Sequence, residues 1–505
     1  MTSSGLLRYI GPSLLVFILH RPWSIGMNLS LDLHRTPSTV TSHPTPAHHK
    51  PRATSNQHNI VNHSSSKGDQ GSRTEKLLRK LPSPPFELPV IAHLHLIGSL
   101  PHHSLSDLAK RHGPDVMLLR LGAVPTLVVS SPRAAKAVLR THDHVFASRP
   151  HSAVADILFY GSTDVSFTPY GEYWRRARKD ITTHLLTAAK VRSNRAAREQ
   201  EVRLVLARVR AAAAAGTAID VSEIFIFFAN DIVCQAMTGR LPREQGQNQL
   251  SWGLGGFNLD DYFPSLARFD LVSAKAVKHI KRWDDLLDSL IDKHKSKTMD
   301  CEDEGDFIDV LLSVQQAYGL TRDNIKAILM DMFEAGTDTT YIALDYTMAE
   351  LMQKPRVVMK ESMRVHAPAP LMLPHFFTAE CDAEGYTIPS GTRVILNVWA
   401  LGRDPTSWKS PEEFMPDRFI EEAMDAASDF QGNDFRFLPF GSGRRMCPAI
   451  NFTKATFEII LANLVYHFNW ELPPGSTGID MTESYGVDVH RKEKLLLIPR
   501  VALDV

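Results

Sequence analysis

The chain has 505 residues, of which 43% are hydrophobic and 22% are charged, so it has enough apolar material for a large folded core. Lysine plus arginine and aspartate plus glutamate both number 56, so no net charge draws the protein to nucleic acid or to an acidic surface. The four cysteines form no CxxC pair, which argues against a disulfide scaffold or a zinc ribbon and favours a reducing compartment; they are Cys234, Cys301, Cys381 and Cys447.

The first 80 residues lack the pattern of a folded domain. Residues 6–19 are mostly apolar but include Arg8 and Pro12, so the run is short for a bilayer span of about 20 residues. A membrane anchor in residues 1–27 and a cleaved signal peptide both remain open, although no clean small-residue cleavage site follows. Residues 28–80 are rich in Ser, Thr, His and Pro and end in a basic, proline-rich hinge, which predicts a disordered linker. One large domain is expected over residues 81–505.

From about Pro89 onward, helical patterns dominate. Strand-like runs interrupt them, such as residues 116–121, 126–130 and 392–398. Residues 203–215 end in five alanines, which favour a helix. The predicted fold class is mainly α with small β-sheets and no internal repeat.

A long helix is predicted from Thr321, which can cap it. Its apolar side chains recur on one face at Ile325, Ile328, Leu329, Met332 and Phe333. At the helical spacing of three and four residues, the same face continues through Gly336 and Thr339. The apolar face is therefore interrupted by a residue without a side chain, Gly336, and by a hydroxyl, that of Thr339, which follows Asp338. A threonine hydroxyl can bond back to its own helix, and opening that bond leaves a notch for a small ligand. A structural kink remains the alternative.

Glu361 and Arg364 are three residues apart and can pair on one helix. Such pairs are usually solvated and weak. Here, however, the helix is expected to stop at the apolar, proline-stiffened run 366–374, which predicts a rigid wall. The sequence PDRF then places Arg418 where it can join the pair, and we interpret these three residues as a structural network.

The stretch FLPFGSGRRMCPAI, residues 437–450, surrounds Cys447. Gly441 and Gly443 turn the backbone tightly before the cysteine, and a helix is expected over residues 450–466. A thiolate at the start of a helix, where backbone amides point toward the sulfur, suits a metal ligand whose charge must be stabilised. Arg445 could neutralise a carboxylate of the bound cofactor. A buried structural cysteine is the alternative, but it would not require this loop.

Taken together, these motifs resemble those of the cytochrome P-450 family. Phe440, Gly443, Arg445 and Cys447 match the family's haem-ligand signature. The sequence AGTDTT at residues 335–340, the Glu361 and Arg364 pair and PDRF match its other motifs in the same order. The resemblance runs from about residue 81 to the end and favours the plant microsomal A-type members of specialised, or secondary, metabolism. It implies the cytochrome P-450 fold, with haem between the long central helix and the loop that carries the cysteine ligand.

The resemblance implies a haem-thiolate monooxygenase that uses haem b and inserts one oxygen atom of O2 into a small lipophilic substrate. Cys447 would be the iron ligand, and a thiolate ligand favours cleavage of dioxygen. Asp338 and Thr339 would be the catalytic proton relay. NADPH would supply electrons through a separate flavoprotein reductase, since no GxGxxG fingerprint appears in a strand-turn-helix context. Such a protein is expected at the endoplasmic reticulum membrane, with its catalytic domain facing the cytoplasm.

The resemblance also assigns contacts to individual residues. Trp174 and Arg178, within residues 170–179, would reach a haem propionate; a solvated helix face is the alternative for this basic stretch. Phe440, Gly443 and Arg445 would be further cofactor contacts. The implied substrate contacts are Phe333, Ala335, Ala369, Leu371, Leu373 and Val487.

The chain departs from the family pattern at several points. Ala449 stands where Gly is general, and His375 stands where Arg is usual, which puts one propionate contact in doubt. Only 20 residues separate Thr340 from Glu361, roughly thirty fewer than expected, or about eight turns of helix. A smaller gap is expected near residues 249–256. Such gaps are typical of an imperfect gene model or a decayed copy.

Two alternatives to the monooxygenase therefore stay open. One is an oxygen-independent haem-thiolate isomerase or dehydratase, although those relatives tend to lack the acid and alcohol pair that Asp338 and Thr339 form. The other is a non-catalytic remnant, which only the gaps favour.

Overall fold

The computed structural model describes residues 66–239, 259–263, 271–296, 305–353, 359–421, 430–486 and 488–502. The chain divides into two units, Met1–Glu75 and Lys76–Val505. The anchor expected at residues 1–27, most of the expected linker and the expected gap near residues 249–256 lie outside the described residues. Residues Ser66–Leu78, at the end of the expected linker, form a helix.

Helices make up most of the described chain. They are α1 (Ser66–Leu78), α2 (Pro101–His112), α3 (Pro132–Lys136), α4 (Asp143–Phe146), α5 (Ala153–Leu158), α6 (Glu172–Asp180), α7 (Ala188–Ser193), α8 (Arg195–Ala215), α9 (Val221–Thr238), α10 (Leu259–Tyr262), α11 (Leu271–Ser296), α12 (Phe307–Tyr318), α13 (Arg322–Gln353), α14 (Met359–Val365), α15 (Val398–Leu401), α16 (Arg418–Glu421) and α17 (Ile450–His467). Two π-helical turns, Ala137–Thr141 and Ile181–Leu185, extend α3 and α6. A 3-10 turn at Gly443–Arg445 precedes α17.

The strands are short and fall into small sheets. They are β1 (Val116–Leu121), β2 (Val124–Val129), β3 (Ile219–Asp220), β4 (His375–Phe376), β5 (Cys381–Ala383), β6 (Tyr386–Ile388), β7 (Arg393–Leu396), β8 (Phe468–Glu471), β9 (Glu483–Tyr485), β10 (Val489–Arg491) and β11 (Leu496–Val501). The largest sheet has the order β1-β2-β7-β4, in which only β2 and β7 are parallel. A second sheet has the order β3-β11-β8, and β5-β6 and β9-β10 are antiparallel pairs. The predicted class, mainly α with small sheets, is confirmed.

Helix α13 runs through the main apolar core. Its buried side chains share one cluster with those of α9 and α17, including Phe228, Phe333 and Phe457. The predicted cap is present, because the Asn324 amide donates to Thr321 Oγ1 at 3.1 Å. A second cluster fills the space around β2 and β7. The long helix and the loop before α17 therefore belong to one packed body.

Within the described residues, Val221–Thr238 is the one helix long and apolar enough to cross a bilayer. About half of that span, 56%, is buried inside the protein, and Phe225 and Phe228 are almost fully enclosed. Its apolar face therefore serves the core.

Candidate active site

The Cys447 sulfur sits between a tight turn and the start of α17. The Cys447 amide donates to the Phe440 carbonyl at 2.9 Å, which closes the loop. The Ala449 amide points at Cys447 Sγ from 3.4 Å. Burial raises the pKa of the Cys447 thiol, whereas the Ala449 amide and the nearby Arg178 guanidinium lower it. An amide and a cation therefore already stabilise negative charge on the sulfur.

Glycine is required in this loop. Gly443 has a φ of +68°, and a Cβ there would lie 2.3 Å from the Leu139 carbonyl oxygen. Ala449 has a φ of −93° and a ψ of 13°, which any residue can adopt. The departure from Gly at Ala449 is therefore tolerated by the backbone.

The Arg445 side chain is held by backbone carbonyls that lie outside the cysteine loop. Its Nε and Nη1 atoms donate to the carbonyls of Ala147 at 2.6 Å and Val165 at 3.0 Å. Burial lowers the pKa of Arg445 to about 8, and repulsion from Arg149 and Arg178 acts in the same direction. Arg178, a half-turn from the end of α6, donates to the Met446 carbonyl within the cysteine loop.

A third buried arginine, Arg149, was missed by sequence reasoning. Its Nε donates to the Ser166 carbonyl at 2.9 Å, and its Nη1 donates to the carbonyls of Leu373 and Pro374 at 2.8 and 2.9 Å. Burial lowers the pKa of Arg149 to about 10. The only available signal was its place just before Pro150, because its partners are distant in sequence.

These three guanidinium groups fit a cofactor that carries carboxylates. Among the described residues, the hydrogen bonds of Arg149, Arg178 and Arg445 all go to backbone carbonyls. Asp331 is within electrostatic reach of them, but its carboxylate accepts from Ser166 Oγ and from backbone amides. Buried cations are costly without anions that pair closely with them. A thiol and three cations around one loop suit an iron porphyrin with two propionates.

Trp174 supports Arg445 in this structure. The Trp174 indole N–H donates to the Val165 carbonyl at 2.9 Å. Its ring lies 4.2 Å from the Arg445 guanidinium carbon, close enough for a cation–π contact. The expected contact of Trp174 with a propionate stays a prediction.

The notch predicted in the middle of α13 depends on the hydrogen bond of the Thr339 hydroxyl. Thr339 Oγ1 donates back to the Ala335 carbonyl at 2.7 Å. Ala335 is exposed, although Phe333 and Thr337 on either side are buried. Gly336 makes room for Val233, because a Cβ at Gly336 would lie 3.0 Å from the valine side chain. Solvent therefore reaches the helix at the residue that accepts the Thr339 hydrogen bond, and we call the space beside Ala335 the recess.

Two carboxyl groups lie near Asp338 of α13. Glu334 is on the same helix, and Asp488 directly precedes β10. Burial and the Asp338 charge raise the pKa of Asp488 to about 7. Burial raises the pKa of Glu334 well above its usual range, and Asp338 and Asp488 add to that shift. Asp338 is therefore close enough to both carboxyls to influence their protonation.

The residues expected to contact substrate fall into separate groups. Phe333 packs edge-on against Trp283, with ring centroids 4.9 Å apart. Leu371 belongs to the apolar cluster of β1, while Ala369 and Leu373 are half-buried. Val487 lies outside the described residues. Between these wall residues, Met372 has a left-handed φ of +52°, a strained conformation that sequence reasoning did not indicate.

The structure brings Glu361, Arg364 and Arg418 together. Arg364 Nη2 and Arg418 Nε lie 2.8 and 3.1 Å from Glu361 Oε1, and all three side chains are buried. Arg364 Nη1 also donates to the carbonyls of Gly402 and Pro411. The network ties α14 to the segment before α16, which is an architectural arrangement.

His375 is a buried neutral group. Its Nδ1 lies 2.8 Å from the Phe146 carbonyl, so this nitrogen carries the proton. Burial lowers the pKa of His375 to about 3, and the charge of Arg149 acts in the same direction. Arg149 therefore provides a positive charge close to the position where the family usually has arginine.

The family model for cytochrome P450 matches residues 82–359 and 356–498, as two segments that meet just before Glu361. One relative aligns over 480 positions that include 85% of this chain, or about 429 of its 505 residues. About 50 aligned positions therefore have no counterpart here. Both findings agree with missing sequence in the chain.

Three curated maize proteins are close relatives. Indole-2-monooxygenase is 51% identical and covers 85% of this chain and 89% of that protein. 3-Hydroxyindolin-2-one monooxygenase is 50% identical, with coverage of 83% and 88%. Indolin-2-one monooxygenase is 47% identical, with coverage of 86% and 92%. The resemblance to plant members is therefore confirmed.

Solved structures agree on the fold. A zebrafish cytochrome P450 solved with abiraterone superimposes with a TM-score of 0.66, at 22% identity, over 80% of this chain and all of that one, 100%. A second zebrafish structure, with progesterone, gives 0.68 at 21% identity and covers 80% of this chain and 99% of that one. With a family-model match over most of its length and relatives named as monooxygenases, the chain belongs to the cytochrome P450 family and is a monooxygenase of that family.

Proposed function

We propose that the protein oxygenates a small, lipophilic, bicyclic compound of the indole type. The observation that carries this proposal is that three relatives at 47–51% identity are named for indole, indolin-2-one and 3-hydroxyindolin-2-one. These names share one fused ring system at different oxidation levels. The apolar Phe333 and the exposed, small side chain of Ala335 suit a flat, apolar ring.

In this proposal Cys447 holds the iron of haem b, and Arg149, Arg178 and Arg445 hold its propionates. When bound, haem supplies the iron at which dioxygen is reduced. Phe440 and Gly443 keep the cysteine loop closed, since one accepts the Cys447 amide and the other has no room for a side chain. The amide of Ala449 and the charge of Arg178 lower the pKa of the Cys447 thiol against the effect of burial, and so favour the thiolate form.

Thr339 and Asp338 of α13 deliver the protons that the reaction needs. The Thr339 hydroxyl donates to the Ala335 carbonyl at 2.7 Å at rest, and it turns from that carbonyl to donate a proton into the recess. Asp338 then resupplies the hydroxyl. Burial raises the pKa values of Glu334 and Asp488, which favours their protonated forms, so both can serve as reserve donors.

Electrons come from NADPH through a membrane-bound flavoprotein reductase, and the protein works at the endoplasmic reticulum with its catalytic domain in the cytoplasm. The plant relatives support this location. The expected anchor, residues 1–27, lies outside the described residues.

The test is turnover of the three indole compounds by the expressed chain with a plant reductase. Under heavy-isotope dioxygen, we expect one of them to gain a single labelled oxygen atom in an NADPH-dependent way. Turnover of a compound without the indole ring and of none of these three would refute the substrate class. A Cys447→Ser control must give no product.

A non-catalytic remnant is the second candidate, because the family match is split before Glu361. Its signature is a folded or unfolded chain that takes up no haem. A thiolate-type spectrum with normal haem content eliminates it.

A further inference from the structure

Two histidines of α2 converge on one carboxylate of β9. The Nε2 atoms of His102 and His103 lie 2.9 and 3.1 Å from the same Glu483 oxygen, Oε2. The three potential ligand atoms all lie within 4.8 Å of one another. Two imidazole nitrogens and a carboxylate oxygen form a His2Glu set, which binds zinc in proteins.

We propose that His102, His103 and Glu483 bind a divalent transition-metal ion such as Zn2+. Zinc bonds to nitrogen and oxygen are about 2.0–2.2 Å long, so ligand atoms around a tetrahedral zinc ion lie roughly 3.3 Å apart. The two distances to Glu483 Oε2 are close to that spacing. The third separation, between the two imidazoles' ligand atoms, is at most 4.8 Å, so the two rings need only approach each other to enclose the ion.

Aromatic rings hold both imidazoles in place. The Trp399 ring lies 4.2 Å from that of His103 and 5.4 Å from that of His102. The Tyr485 ring stacks on His102 at 6.0 Å. The backbone of His102 is also fixed, because Asn397 Nδ2 donates to its carbonyl at 2.8 Å. Little side-chain freedom is therefore left to lose when a metal binds.

Access and charge also suit a metal. The His102 side chain is 0% exposed and that of His103 is 42% exposed, so the site opens to solvent on one side and a water can take the fourth position. Glu483, whose side chain is 12% exposed, supplies the acidic side chain of the set.

One nearby cation opposes binding. Arg403 stacks on Trp399 at 4.2 Å and acts electrostatically on His102 and Glu483. Its own partner is Glu412, 3.0 Å away, which reduces its repulsion. A second group, His294 with Asp306 and Asp309, is a weaker candidate because its two aspartates already form the capping box of α12.

A metal at this site would fasten the β9–β10 hairpin to α2. Arg491, which pairs directly with Glu483 across the hairpin, already fixes the same end to α13, where it lies 2.8 Å from Asp345. Asp488, within electrostatic reach of Asp338, lies in the connection between the two strands of this hairpin. Occupancy would therefore stiffen the segment that borders the recess.

The test measures Zn2+ binding to the purified full chain by competition with a chromophoric chelator. His103→Asn and Glu483→Gln should lower the stoichiometry by one ion or weaken one site at least about tenfold. His144→Asn, which removes an exposed histidine outside the cluster, should bind zinc as the parent does. Unchanged number and affinity in His103→Asn would overturn the proposal.

A second measurement needs no variant. Diethylpyrocarbonate modifies accessible imidazoles, and the extent can be read at each histidine by peptide mass. Zinc should protect His103 in the parent chain and leave His144 reactive. Equal modification of His103 with and without zinc would overturn the proposal even if the substituted chains fail to fold.

Discussion

The Thr339 hydroxyl donates to the Ala335 carbonyl of the preceding turn at 2.7 Å. This bond occupies the hydroxyl proton in the resting protein, and Ala335 is the exposed residue among buried and half-buried neighbours. Thr339 and Ala335 therefore form a hydrogen bond within the helix at the place where a small ligand can reach it. Breaking the bond costs about 1 kcal/mol, which is small enough for the binding free energy of a ligand to offset.

Thr339→Ala should uncouple the enzyme. The variant keeps haem and substrate binding but loses the hydroxyl that passes the proton on, so NADPH consumption should continue with more peroxide and less product. The ratio of product to NADPH consumed measures this, and Thr339→Ser, which retains the hydroxyl, is the matched control. An alanine variant with the parent's ratio would rule out the proposed relay.

Arg445→Gln should weaken haem binding. A hydrogen bond to a charged group is worth about 1.5–3 kcal/mol, so the loss corresponds to roughly 10- to 100-fold in affinity. Transfer of haem to an excess of acceptor protein gives the affinity. Arg444→Gln is the control, because Arg444 is largely exposed and pairs with Asp143 at 2.7 Å. Equal haem transfer from both variants would show that Arg445 does not contact the cofactor.

His375 should make the protein sensitive to acid. The folded-state pKa of His375 is lowered to about 3, whereas an unfolded histidine takes up a proton below about 6.5. The unfolded state therefore binds more protons between these values, so stability falls as the pH drops through this range, by up to about 1.4 kcal/mol per pH unit. His375→Gln should reduce the loss of unfolding free energy between pH 6 and pH 4, as measured by urea denaturation. Parallel losses in the two proteins would mean that His375 is charged in the folded state.

The short interval before Glu361 should limit folding. Losing a packed helix leaves the apolar face that it covered in water, at about 1.5–3 kcal/mol for each large side chain, and several such residues exceed the 5–15 kcal/mol typical of domain stability. The residues around the junction, 354–358, lie outside the described ones. We expect little haem-loaded protein from this chain and much more from a variant with a family-like helical segment inserted between Arg356 and Met359. Equal haem content and thermal midpoint in both would identify the gap as a tolerated deletion.

Sequence patterns located local elements well and distant contacts poorly. The strand at Val116–Leu121 and the start of α17 at Ile450 were predicted as observed, because periodicity and glycine placement are local signals. The strand predicted over residues 392–398 ends at Leu396, because Asn397 accepts the Ala400 amide and begins a helix. That capping signal was readable in the sequence.

In the candidate active site, too, local features could be predicted from the sequence and contacts between distant residues could not. The cysteine loop and the Thr339 notch could be found from glycines and a hydroxyl in an apolar stripe. Arg149 could not, since its partners Ser166 and Leu373 are brought to it only by the fold. The left-handed Met372 was equally invisible, because its strain is imposed by the packing of the wall.

The central claim is that Cys447 is the thiolate ligand of a haem. It is tested most directly by the absorption spectrum of the ferrous carbon monoxide complex of the purified chain and its cysteine variants. The haem-loaded fraction of the parent, however small, should show the thiolate-type band. Cys447→Ser should lose it, whereas Cys234→Ser, Cys301→Ser and Cys381→Ser should keep it, because Cys447 is the one that has a backbone amide directed at its sulfur, among the three cysteines that the structure describes. A thiolate-type band that survives in Cys447→Ser, or that disappears with another cysteine, would contradict the account.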